Sequence, residues 1–206
     1  MKEYPKIQSV FKRDKETHKF IINEYSRDEF KFLEGNKWIF TEKVDGTNIR
    51  IGWEGPGKAV KIGGKTDRAQ LHIDLINELQ KLFPSDKFLK LYPELSMILY
   101  GEGYGAGIQK GGGTYSLTKT FVLFDVLING FWLSRDSVNY IAEKLGIKSV
   151  PVVGSGNLLT LIRIVRDGFN SYWGNFIAEG IVARPECELF SRNGQRIITK
   201  VKFKDF

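Results

Sequence analysis

Thr41-Glu42-Lys43-Val44-Asp45-Gly46-Thr47-Asn48-Ile49-Arg50-Ile51 reads as a strand end, a tight turn at Asp45-Gly46, and a second strand in which Asn48, Ile49, Arg50 and Ile51 alternate. Such a hairpin places Lys43 at its mouth, beside the carboxylate of Glu42 and three residues before Gly46. A lysine amine lowers its pKa readily when desolvated or set beside other cations, and it then serves as a covalent nucleophile. The same residues also describe a surface lysine before a common Asp-Gly turn, so the remainder of the chain has to decide.

A chain of 206 residues is expected to form one domain, spanning 1–206, with a core large enough to need no staples. Hydrophobic content of 42% and aromatic content of 13% are globular values and argue against disorder. No apolar run is long enough for a transmembrane helix, so no membrane partner is expected, and the first residues do not resemble a signal peptide. Cys187 stands alone, which suits a reducing, cytoplasmic location. One cysteine and two histidines make a zinc cluster improbable. The net charge of +7 favours polyanionic partners such as nucleic acid or nucleotide, although a merely basic, soluble surface would look the same.

Outward from the hairpin, His18–Ile22, Lys37–Phe40 and Ala59–Ile62 suit short strands. Arg68 to Phe83 has Leu71, Leu75, Leu79 and Leu82 on one helical face, with Pro84 as its stop. Met97–Tyr100 reads as a buried strand running into a glycine-rich loop, Gly101 to Gly113, that holds Glu102 at the strand end. No helix pattern and no Gly-Lys-Ser/Thr follows that loop, so it is neither a dinucleotide fingerprint nor a P-loop. Thr120–Ile128 is apolar except for Asp125 and reads as a central strand covered on both faces. The lone carboxylate needs a ligand, a metal or a strand-end salt bridge. Ser134 caps a helix to Leu145, with Gly146 as stop, and residues 157–168 suggest another. Phe176–Pro185 reads as a strand interrupted at Glu179-Gly180. The chain closes with Arg196–Lys204, where Lys200, Lys202 and Lys204 share one face. A solvated edge strand tolerates three lysines in a row, and a polyphosphate ligand explains them better. The pair Lys12-Arg13 suits a solvated turn or a phosphate contact.

The ordered set of Lys43 before Gly46, Gly64-Lys65-Thr66, Glu102, Phe124-Asp125, Glu179-Gly180 and Lys200-Val201-Lys202 resembles the covalent nucleotidyltransferases, the superfamily of RNA ligases, DNA ligases and mRNA capping enzymes. Glu42 to Asn48, with Asn48 where DNA ligases and capping enzymes typically carry arginine, is similar to the nick-sealing phage RNA ligase 2 type. The resemblance implies an α+β fold: a ligase adenylation domain of antiparallel sheets flanked by helices, with the nucleotide site between them and no OB-fold. It implies an ATP-dependent RNA ligase joining RNA 3′-OH and 5′-phosphate ends through lysyl-AMP, with ATP and Mg2+ or Mn2+ as cofactors.

By the same resemblance Lys43 is the AMP-bearing nucleophile, Glu102 holds the ribose and Phe124 stacks on adenine. Lys200 and Lys202 take the α-phosphate, and Asn48 helps to place phosphates. Glu42, Gly46 and Val182 join the nucleotide site. Glu179 acts through a metal or orients the lysine, with Asp45 as a second metal candidate. Lys65 stands where the phage enzyme has arginine and is assigned the RNA 5′-phosphate, as a point charge in place of a bidentate fork. All three steps are displacements at phosphorus, which call for charge stabilisation and alignment.

The chain ends soon after Lys202. It is therefore expected to be a minimal single-domain monomer, or a ligase that seals only some ends or needs a helper protein or end-processing enzyme. The expected partner is RNA, as a nicked duplex or as free ends. The location is expected to be the cytoplasm, including that of a phage-infected host. Alternatives are a DNA ligase, a capping-type nucleotidyltransferase, or a catalytically silent nucleotide- or RNA-binding domain.

Overall fold

The computed structural model describes residues 1–206. In chain order its strands are β1 (Gln8–Ser9), β2 (Phe11–Arg13), β3 (Phe20–Tyr25), β4 (Trp38–Glu42), β5 (Thr47–Trp53), β6 (Lys61–Gly63), β7 (Met97–Tyr104), β8 (Thr120–Ile128), β9 (Phe131–Trp132), β10 (Lys148–Ser149), β11 (Val152–Gly156), β12 (Gly180–Pro185) and β13 (Thr199–Lys202). The helices are α1 (Asp28–Phe32), α2 (Ile73–Leu82), α3 (Ser85–Leu91), α4 (Gly112–Tyr115), α5 (Arg135–Leu145) and α6 (Leu158–Asp167). The fold is α+β with predominantly antiparallel sheets, as expected. The chain forms two compact units.

The first unit comprises Met1–Tyr4 and Asp45–Val150. Its sheet runs β10-β8-β7-β5-β6, with β9 added on β8. Strand parity explains its two faces. Ile49, Ile51, Trp53 and Leu99 point to a core shared with Leu75 and Leu79 of α2, Phe88 of α3 and Val138 of α5. The intervening Asn48 and Arg50 lie opposite Glu102 and Tyr100 on the other face. Strand β8 skips one residue against β7, because Tyr100 pairs with Asp125 and Gly101 with Leu123. That bulge brings the consecutive residues Phe124 and Asp125 onto the face away from the core, whereas Leu123 and Val126 stay inside. Ser134 caps α5 through the amide of Ser137, and Gly146 ends it in the left-handed conformation.

The second unit comprises Pro5–Val44 and Pro151–Phe206. Its main sheet runs β1-β13-β12-β4-β11, and β2 pairs with β3 in a separate ribbon. Phe40, Ile181, Ala183 and Val201 share a core with Leu158, Leu161 and Val165 of α6, which Asn157 caps. Gly180 has φ of +156°, and a Cβ there would lie 2.1 Å from the carbonyl oxygen of Val201. Only glycine lets β12 approach β13 this closely.

Several expectations are corrected. Asp45-Gly46 is not a hairpin turn: β4 pairs with β11 and β12, whereas β5 pairs with β6 and β7. Gly46 is needed for a different reason, since a Cβ there would sit 2.3 Å from the Gly103 carbonyl oxygen. The α2 helix starts at Ile73, not Arg68, with His72 as its cap. Gly101-Glu102-Gly103 lies inside β7, because strand pairing with β5 and β8 continues to Tyr104. The interrupted strand begins only at Gly180, because Ala178 and Ser171 close a loop by bonding to Phe169 and Phe176. Strand β13 is not an edge, because β1 and β12 flank it. Lys204 leaves the lysine row, because Phe203–Asp205 turns into a short 3-10 helix.

Candidate active site

In the second unit, strand register sorts the predicted residues by face. Thr41 and Lys200 both lie opposite Val182, and Lys202 lies opposite Gly180. These residues therefore share the sheet face away from α6. Lys43 directly follows β4 and donates its backbone amide to the Gly180 carbonyl at 2.9 Å, so it continues this face. Glu179 directly precedes β12. Its Oε2 accepts from Lys43 Nζ at 2.6 Å, and its Oε1 lies 2.6 Å from Lys202 Nζ. One carboxylate thus spans two ammonium groups, and all three side chains are 80% or more buried, with exposures of 20%, 15% and 19%. Lys200, one pleat further along, has its ammonium pushed below the ordinary lysine range by burial, and next by the positive charges of Lys202, Lys43 and Arg13. Such a crowd of cations favours an incoming anion.

Glu42 alternates to the opposite face and is 1% exposed. Its Oε1 accepts from Ser171 Oγ at 2.5 Å and its Oε2 from the Tyr172 amide at 2.8 Å. Burial raises its carboxyl above the usual range, opposed by these two hydrogen bonds. Sequence reasoning grouped Glu42 with the nucleotide ligands. The structure shows its carboxylate holding the loop that leads to Glu179.

In the first unit, Asn48 pairs directly with Glu102 across β5 and β7. The Asn48 Oδ1 atom is buried without a hydrogen-bond partner, so the face lacks one donor there. Phe124 is half-buried, and Tyr4 packs edge-on against it at 5.0 Å. The Tyr4 hydroxyl donates to Asp125 Oδ2 at 2.9 Å, so this carboxylate has a hydrogen-bond partner in the middle of its strand. Neither Tyr4 nor the bulge left a signal in the sequence. Lys65 is exposed on the loop after β6. That loop is held by Arg50, which is fully buried and donates to the Gly64 carbonyl at 2.7 Å, the Met1 carbonyl at 2.6 Å and Asp67 at 2.8 Å. Gly46 accepts a hydrogen bond from Gln109 through its carbonyl at 3.1 Å. Asp45 is half-buried, and no group of three or more His, Cys, Asp or Glu side chains converges anywhere. Lys12 and Arg13 face Glu24 at 3.6 Å and Asp205 at 2.7 Å.

The RNA ligase family model matches residues 36–202, most of the chain, and the chain belongs to that family. By sequence, no curated protein matches it. Among solved structures it is similar to Naegleria gruberi RNA ligase. A variant of that protein with ATP and Mn aligns at TM-score 0.64 and 17% identity, covering 85% of this chain and 51% of the other. A variant without ligand aligns at TM-score 0.67 and 16% identity over 98% and 57%. The form with PPi aligns at TM-score 0.64 and 16% identity over 98% and 62%. The present chain thus spans a little over half the length of the solved ligases it matches.

Proposed function

We propose that this chain is the adenylyltransferase domain of an ATP-dependent RNA ligase that works through lysyl-AMP. The observation that carries the reading is the Lys43–Glu179–Lys202 bridge on the face that also bears Lys200. The relatives with ATP and Mn or with PPi support the choice of nucleotide and leaving group.

In the first step the Lys43 amine attacks the α-phosphorus of ATP. A P–N bond forms, the bond to the pyrophosphate oxygen breaks, and Nζ loses its proton. An attacking amine cannot stay paired as an ammonium, and Glu179 is the group placed to hold and release that proton at Nζ. Lys200 and Lys202 supply positive charge where the transition state gathers negative charge. In the second step an RNA 5′-phosphate oxygen displaces the lysine from phosphorus, and the amine regains a proton. In the third step the RNA 3′-hydroxyl attacks the activated 5′-phosphorus and AMP departs.

A divalent metal, Mg2+ or Mn2+, fits here only as a partner with few protein ligands. Glu179 would hold it once one lysine contact is given up, and waters and substrate phosphates would complete the shell. When bound, the metal neutralises phosphate charge. We place adenine on Phe124, the ribose hydroxyls on Glu102, and the RNA 5′-phosphate near Lys65. Asn48 Oδ1, buried without a partner, has a free acceptor for a ligand hydroxyl.

The test is incubation with metal and ATP labelled at the α-phosphate, followed by denaturation, with Lys43→Ala alongside. Label on the wild type alone is the expected result. Absence of label from protein first stripped of bound AMP would overturn the reading.

A further inference from the structure

The chemistry above leaves Arg13 without a task, yet its guanidinium is not loose in solvent. Its Nη2 donates to Asp205 Oδ1 at 2.7 Å, across 192 residues of sequence. It also lies 5.6 Å from the centre of the Phe20 ring, the residue it faces across β2 and β3. Asp205 is 2% exposed. A carboxylate buried so deeply is costly unless it is paired and hydrogen-bonded. Arg13 supplies the pairing. The other carboxylate oxygen, Oδ2, accepts from the backbone amide of Lys202 at 3.0 Å.

That amide belongs to the residue whose ammonium meets Glu179. Contacts therefore run without a gap from Arg13 to Asp205, through Lys202 to Glu179, and on to Lys43, each at 3.0 Å or less. The same turn is fixed at two further points. The Phe203 amide donates to the Glu179 carbonyl at 2.9 Å, and Lys19 Nζ donates to the Lys204 carbonyl at 3.0 Å. Strand β13 ends at Lys202, so sheet pairing does not hold the chain beyond it. A lysine side chain loses much rotamer freedom when its ammonium is held in one place. A backbone fixed at Lys202 lowers that cost, and the turn closed by Asp205 fixes it. The β2-β3 ribbon joins neither of the larger sheets, and Arg13 and Lys19 are its contacts to this turn.

We propose that Arg13 and Asp205 are positioning residues for lysine adenylylation: Arg13 holds Asp205, and Asp205 holds the backbone of Lys202 so that its ammonium meets Glu179 beside Lys43. The proposal rests on the ligase reading for the step that is positioned. Neither residue touches the nucleotide. The loss on removing either one falls on the maximal rate, because Lys202 is assigned to the charge that gathers in the transition state.

The experiment is single-turnover transfer of label from ATP labelled at the α-phosphate, over a range of ATP concentrations and normalised to folded protein. Asp205→Asn and Arg13→Met should each lower the maximal rate about tenfold, and neither should add a loss once Lys202→Met is present. Arg13→Lys should restore most of the rate, since one charged donor suffices for the one contact to Oδ1. An unchanged maximal rate, whatever the melting temperature does, would overturn the proposal. So would losses that simply add to that of Lys202→Met. A change confined to the half-saturating ATP concentration would make Arg13 a phosphate ligand and overturn it as well. A second readout needs no activity: trace acetylation of the full chain, mapped by peptide mass, with the exposed Lys81 as reference. Asp205→Asn and Arg13→Met should make Lys202 several-fold more reactive relative to Lys81. Unchanged reactivity of Lys202 overturns the clamp. Label on the wild type with no effect of the variants leaves the ligase reading intact without it. No label on the wild type, with Lys202 released by the variants, keeps the clamp and counts against that reading.

Discussion

The Nζ atom of Lys43 lies 2.6 Å from Oε2 of Glu179, and the other oxygen of the same carboxylate is 2.6 Å from Lys202. The nucleophile candidate is therefore held in place by a group that also holds a phosphate-binding candidate. Glu179→Gln keeps the shape and removes the charge that organises both amines. The rate of label transfer from ATP in a single turnover is expected to fall about 100-fold, the size of effect seen when a preorganised electrostatic partner is removed. An unchanged rate with an unchanged melting curve would show that the bridge is only structural.

Glu42 is the partner of Ser171 and Tyr172, and its carboxyl is raised by burial. The folded state therefore holds its proton more tightly than the unfolded chain does. Stability associated with this group falls as pH rises from 4.5 through the folded value, and the cost persists at neutral pH. Glu42→Gln can accept from the Tyr172 amide and donate to Ser171 Oγ, so it should flatten this pH dependence and raise the melting temperature at pH 7. Glu42→Ala strands two donors and should cost about 1–3 kcal/mol for each. Urea unfolding at several pH values reads both.

Lys200 has the opposite sign. Burial, followed by Lys202, Lys43 and Arg13, lowers its ammonium below 10.5, so the unfolded chain binds that proton more readily. The charged form costs stability at neutral pH, and the cost fades as pH climbs through the folded value towards 10.5. Lys200→Met should melt higher at pH 7 by a few degrees, since about 1 kcal/mol moves Tm by roughly 2–4 °C at this length. The gain should shrink at alkaline pH, and label transfer from ATP should fall at every pH.

Arg50 is fully buried and serves three acceptors, the carbonyls of Gly64 and Met1 and the carboxylate of Asp67. An ammonium cannot reproduce that fork. Arg50→Lys should destabilise the fold by about 2–3 kcal/mol, from charged hydrogen bonds lost. It should also open the loop carrying Lys65 to limited proteolysis, and mass mapping of the first nick would check this.

The meeting of Lys43, Glu179 and Lys202 on the face that bears Lys200 was legible in the sequence because it depends on residue types in order. Lys43, Glu102, Phe124, Glu179, Lys200 and Lys202 each sit in or beside a strand whose apolar period is plain, and the caps Ser134 and Asn157 mark α5 and α6. Period-two alternation also places Lys200 and Lys202 on one face without any tertiary knowledge. Strand partners are a different matter, because pairing is a long-range choice that local pattern does not encode. Asp45-Gly46 looked like a hairpin turn, yet β4 and β5 join different sheets. The lysine row was compatible with an edge strand, and only the pairing of β1, from the far end of the chain, with β13 removes that alternative. The surroundings of Glu42 are long-range in the same way. Its parity on β4 turns it to the core face, and only a loop 129 residues away in sequence supplies the donors that make a buried carboxylate tolerable there.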